Sequence, residues 1–95
     1  MTHSRILGVR KEQSLEIRTR ILEVFRNQFN LSDASEPGLP FEELRMGALD
    51  EWDSLGNLNL LLAIESEFAI RLTTEQLSSI DSLVQIETAV SEQAK

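Results

Sequence analysis

The chain has no cysteine and no tyrosine, a single tryptophan, a single histidine and two prolines in 95 residues. Without cysteine it holds no disulfide and no zinc knuckle, and it offers no thiol nucleophile of its own. Such a composition suits a reducing cytoplasm, which is the expected compartment. No apolar run approaches the roughly 18 residues that a spanning helix needs, so no membrane span is expected. The opening MTHSRILGVRKEQ sets Arg5, Arg10 and Lys11 around only a scrap of apolar sequence, unlike a secretory signal. What remains is ordinary globular material, 41% hydrophobic and 26% charged. The length accommodates one domain with a modest core.

The net charge of −7 is unevenly spread. Residues 1–30 carry six basic and three acidic side chains, whereas residues 31–95 carry three basic and thirteen acidic ones. The larger part would repel a phosphate backbone, so nucleic acid is not an expected partner. A basic protein surface is its natural complement, although acidity also serves plain solubility.

Apolar positions Leu15, Ile21, Leu22, Val24, Phe25 and Phe29 recur at helical spacing and predict a first helix over residues 14–30. Residues 1–13 read as an N-terminal extension, either a tail or a loose continuation of that helix weakened by Gly8. It addresses a particular enzyme or has no role. From Leu31 to Asp53 the residues Ser32, Asp33, Ser35, Pro37, Gly38, Pro40 and Gly47 signal a loop. Phe41, Leu44, Met46, Leu49 and Trp52 punctuate it, so it should pack back onto the domain, with one helical turn near residues 41–45. A second helix is expected over residues 54–68. Thr73 with Gln76 reads as a capping box opening a short third helix over 74–79, and Ser82 with Gln85 repeats that signature for a fourth over 82–93. No period-2 run suggests a strand. The expectation is an all-α fold, a small four-helix bundle with a long loop between helices 1 and 2 and a short helix 3.

The second helix is apolar on two sides. Leu60, Leu61, Ile64 and Phe68 form one stripe. Leu55, Leu58 and Leu62 form another, well over about 100° away on the wheel. One stripe suffices to cover a core, so the second is either buried by further packing or a partner-binding face. It begins one residue after Asp53-Ser54, at the end of the acidic segment Asp50-Glu51-Trp52-Asp53.

A serine at a helix start is ordinarily a cap whose oxygen accepts a backbone N–H. As a nucleophile Ser54 lacks a base: the one histidine, His3, lies in the extension, the only lysines are Lys11 and Lys95, and no Gly-x-Ser-x-Gly elbow is present. No catalytic residue is therefore expected, and the chain is not read as an enzyme. No metal site is expected either, because carboxylates such as Asp50, Glu51 and Asp53 are ordinarily just solvated. A helix start does favour an attached anion, since unpaired N–H groups and the positive dipole end stabilise phosphate.

Asp53-Ser54-Leu55 followed by LNLLLAIESEF resembles the Asp-Ser-Leu attachment site and second helix of acyl carrier proteins. The similarity covers roughly residues 14–92, and residues 14–93 form an acyl-carrier-like domain on this reading. The tripeptide recurs at Asp81-Ser82-Leu83, but Ser82 lacks the long acidic loop and the double stripe, so it reads as a cap. The resemblance implies that a phosphopantetheinyl transferase moves 4′-phosphopantetheine from coenzyme A onto Ser54, beside its acidic neighbour Asp53. The terminal thiol of this covalent cofactor would carry acyl groups as thioesters, supplying thiol chemistry to a cysteine-free chain. It further implies that Leu55, Leu58 and Leu62 dock acyl-loading and acyl-transferring enzymes, and that Glu65 occupies an acidic recognition position. Leu60, Leu61, Ile64 and Leu77 are either walls of an acyl-sheltering space or ordinary core. A monomer fits a shuttle of this kind.

The chain departs from fatty-acid carriers in having Glu51-Trp52 before Asp53, and Gly56, Asn59 and Ser66 where acids are usual. Trp52 either stacks on a partner or pins the loop. A less acidic, greasier helix implies docking with weaker salt dependence, hence a specialised lipid or polyketide pathway rather than general fatty acid biosynthesis. Two alternatives stand beside this reading: an aminoacyl or peptidyl carrier, and an unmodified helical interaction module.

Overall fold

A computed structural model describes residues 2–31 and 38–93, with the side chains of the first helix from Leu15 onward. The first helix, α1 (Thr2–Gln28), is longer than the periodicity predicts, because its backbone continues through Gly8 and residue 13 without a break. A glycine inside a helix costs only about 1 kcal/mol, less than the cooperativity of a helix already nucleated on either side. Of the tail and helix-continuation alternatives for the extension, the backbone from Thr2 follows the second. The helix ends as local chemistry requires. Asn30 adopts a left-handed φ of 54°, and the Leu31 N–H reaches back to the Arg26 carbonyl at 2.8 Å while that of Asn30 reaches Asn27. These bonds satisfy carbonyls that the last turn leaves open.

The loop signals at Ser32, Asp33, Ser35 and Pro37 lie outside the described residues. From Gly38 onward the connection is built of tight turns. Pro40 leads a single 3-10 turn, Phe41–Glu43, within the stretch expected to be helical. Leu44 is then buried, and the chain pairs briefly with the segment before the last helix: Met46 N–H donates to the Asp81 carbonyl at 2.7 Å and Leu83 N–H to the Leu44 carbonyl at 3.0 Å. This isolated bridge is the only β-type pairing among the described residues. The loop packs back onto the body, as its apolar punctuation predicts.

Three further helices follow: α2 (Ser54–Phe68), α3 (Thr74–Ser79) and α4 (Leu83–Gln93). The Thr73–Gln76 capping box is present in both directions. Ser82 caps α4 through Gln85, whose side-chain oxygen accepts from the Asp81 N–H at 2.8 Å. The result is the expected small all-α bundle.

The core joins Ile21, Val24 and Phe25 of α1, Leu60, Leu61 and Ile64 of α2, and Leu83, Ile86, Ala89 and Val90 of α4. Leu44, Trp52, Leu72 and Ile80 complete it from the connections. Helix α3 buries no residue fully and is held by its flanks. Ion pairs tie the periphery. Arg18 donates to Glu87 of α4 at 2.7 and 3.1 Å and to Glu42 at 2.9 Å, while its guanidinium lies over the Phe41 ring. Arg20 joins α1 to Glu67 at the end of α2 and lies over Phe68. Among the described residues no helix is long and apolar enough to cross a membrane.

Candidate functional site

The start of α2 is capped by Asp53 rather than Ser54. The Asp53 carboxylate accepts the Gly56 N–H at 2.8 Å and its carbonyl accepts the Asn57 N–H at 2.7 Å. The cap role open to Ser54 is therefore filled by its neighbour, whose extended backbone lies just outside the helix as a cap residue must. Ser54 becomes the first residue of the helix proper, exposed, with no hydrogen bond from its hydroxyl among the described residues. The amides of Ser54 and Leu55 are likewise without an acceptor there, and no acid sits in the first turn. The Ser54 hydroxyl thus stands beside two open N–H groups at the positive end of a 15-residue helix, where the Asp53 carboxylate already takes a third N–H.

Exposure distinguishes the two stripes. Leu60, Leu61 and Ile64 are fully buried. Leu55, Leu58 and Leu62 remain 67%, 38% and 46% exposed, so the core formed by the described residues does not take them. They form an apolar strip running down α2 from the serine. Glu65 behaves differently. It is half-buried, and its carboxylate accepts the Leu72 N–H at 2.6 Å, tying the end of α2 to the connection that follows. Leu77 is half-buried beside the core.

Trp52 is fully buried. Its ring lies 5.0 Å from Phe25 and 5.8 Å from Phe29, centroid to centroid. It pins the loop, and no partner is able to reach it in this arrangement. Its indole N–H donates to the Asn57 side-chain oxygen at 2.9 Å, and the Asn57 amide nitrogen donates to the Ile80 carbonyl at 2.7 Å. Asn57, the one polar residue in the core among the described residues, was not among the expected site residues. Its position shows the signal: it lies three and four residues before Leu60 and Leu61, on the buried stripe, where a polar group needs partners.

Gly56 also has a local cause. A Cβ there would run into the Glu51 carbonyl oxygen and meet the Phe29 ring at 3.2 Å. No side chain has room at this position, because the turn before Trp52 lies against the helix backbone. Asp50, Glu51 and Asp53 are exposed, and no group of three or more metal-ligating side chains is assembled among the described residues.

The second Asp-Ser-Leu is built differently. Ser82 is half-buried, and its hydroxyl donates to Gln85 Oε1 at 3.1 Å while accepting the Gln85 N–H at 3.3 Å. Leu83 is fully buried. Identical tripeptides thus present one free hydroxyl with an exposed leucine and one occupied hydroxyl with a core leucine. No family model matches the chain, and no curated protein or solved structure matches it either.

Proposed function

We propose that the protein is an acyl carrier whose Ser54 bears 4′-phosphopantetheine. The observation that carries this reading is the division of labour at the head of α2: Asp53 takes the capping bond, leaving Ser54 exposed and unbonded one residue before an uncovered leucine strip. A phosphopantetheinyl transferase would join the Ser54 oxygen to the phosphate nearest the pantetheine of coenzyme A, with 3′,5′-ADP leaving and the hydroxyl proton passing to solvent. The open Ser54 and Leu55 amides suit the resulting phosphodiester. Once attached, the arm supplies a thiol that holds acyl groups as thioesters. The chain's own residues anchor it, keep it on the outside, and offer Leu55, Leu58 and Leu62 to enzymes that load or unload it.

A specialised lipid or polyketide pathway in a reducing, cytoplasmic setting fits the uncharged Asn59 and Ser66 along that helix. The test is intact mass after incubation with coenzyme A and a broad-specificity phosphopantetheinyl transferase. One added arm on wild type and on Ser82→Ala, with none on Ser54→Ala, is expected. A folded wild type that stays unmodified while a control carrier is loaded would replace this reading with that of an unmodified interaction module. Charging of the arm by an adenylating enzyme with an amino acid, in preference to acyl groups, would turn it into an aminoacyl carrier.

A further inference from the structure

The span from Trp52 to Asn57 is closed on itself three times: by the Asp53 carbonyl and the Asn57 N–H, by the Asp53 carboxylate and the Gly56 N–H, and by the Trp52 indole and the Asn57 amide. Ser54 and Leu55 are the residues this ring carries outward. Asn57 takes part in two of the three closures, and its side-chain nitrogen donates to the Ile80 carbonyl at 2.7 Å, fastening the ring to the end of α3. Trp52 is itself held from behind, its N–H on the Leu49 carbonyl and its carbonyl on the Gly47 N–H. The amide has one orientation that works, because the indole only donates and the Ile80 carbonyl only accepts.

We infer that Asn57 is a positioning residue for group transfer to Ser54: through Trp52 and Ile80 it fixes where the serine oxygen stands, without touching the incoming group. This rests on Ser54 being the attachment site. An alkoxide must approach a phosphorus atom within a narrow range of direction, and small misplacements cost rate rather than binding. The leucines that would dock a transferase are exposed, whereas Asn57 lies on the buried stripe, and no hydrogen bond joins them. Loss of the network therefore lowers kcat and spares KM for the carrier.

The experiment compares wild type, Asn57→Leu, Trp52→Phe and the double variant as acceptors for a broad-specificity phosphopantetheinyl transferase, over a range of carrier concentrations. Circular dichroism confirms folding at the assay temperature. Asn57→Leu keeps the branching and heavy-atom count of the side chain, though its methyl groups are bulkier, and leaves the indole N–H and the Ile80 carbonyl without partners. Trp52→Phe keeps an aromatic ring against Phe25 and Phe29 and removes the donor, together with part of the buried indole volume.

The expected result for Asn57→Leu is a kcat reduced about tenfold with KM changed less than about threefold. Trp52→Phe should show a smaller loss of the same kind, and the double variant should be no slower than Asn57→Leu, since the bond that Trp52→Phe removes is already lost in Asn57→Leu. A folded Asn57→Leu with kcat within about twofold of wild type, or a change confined to KM, overturns the inference. If Asn57→Leu does not fold, an unchanged kcat for Trp52→Phe overturns it.

Amide hydrogen exchange separates this inference from the assignment of Ser54. The Gly56 and Asn57 amides should exchange about tenfold faster in Asn57→Leu while those of α4 keep their rates. Failure of wild type to accept any arm, together with that faster local exchange, removes the attachment reading and leaves the ordering by Asn57 standing. Unchanged exchange at Gly56 and Asn57 removes the ordering, whatever the transferase does.

Discussion

At the scale of single residues, the site depends on which atom is committed and which is left open. Asp53 and Ser54 are adjacent and both are able to cap a helix, yet only Asp53 does so. Replacing Asp53 with alanine should cost about 1 kcal/mol in urea denaturation, the ordinary value of a lost cap. The same denaturation experiment on Ser54→Ala should show a change within about 0.5 kcal/mol, since no bond among the described residues uses that hydroxyl. Gly56 is the reverse case, a residue whose missing side chain matters. Gly56→Ala forces the Glu51 carbonyl or the helix to move and should lose about 1–3 kcal/mol. A charged side chain there, as in Gly56→Asp, should harm folding at least as much.

At the scale of elements, the helices after residue 53 were legible because their starts and ends are local. Thr73 with Gln76 and Ser82 with Gln85 write their caps within four residues, and the structure uses both pairs. The double stripe on α2 was equally plain, but which leucines stay uncovered depends on distant chain and became clear only with the core assembled. The start of α1 was not legible, since the penalty for one glycine is too small to predict a break. Neither was the Trp52–Asn57–Ile80 network, which joins residues 23 apart in its second bond.

The elements also carry their own predictions. Helix α2 ends with Ala69 at a left-handed φ of 55°, where a Cβ crowds the backbone and glycine does not. Ala69→Gly should stabilise the protein by about 0.5–1 kcal/mol in the same denaturation assay. The exposed strip lies on a helix with uncharged Asn59 and Ser66 on its surface. On the proposed reading, raising salt from about 50 to 300 mM should change the transferase KM for the protein less than about threefold, because apolar contacts are not screened.

At the scale of the molecule, the long connection is held by a clamp remote from Ser54. Arg18 reaches both the 3-10 turn and α4, so one side chain joins three parts of the chain. Arg18→Gln should lower stability by about 1–2 kcal/mol, most of it from the half-buried Glu87 side, since surface pairs contribute little. The hydrogen bond from Arg18 holds the Glu42 carboxyl below its usual range. That contribution is complete above the ordinary carboxylate value and is lost as pH falls through the lowered one. Urea midpoints taken between about pH 2.5 and 7 should thus show an acid-side decline that is shallower in Arg18→Gln.

The burial of Trp52 has an optical consequence. With no tyrosine and one tryptophan, the chain's near-ultraviolet emission comes from a single indole two residues from Ser54, shielded from water and seated among phenylalanines. The protein is its own unlabelled reporter: loosening of the turn before the serine would shift that emission to the red, whether caused by denaturant, by substitution or by an enzyme bending the loop as it engages.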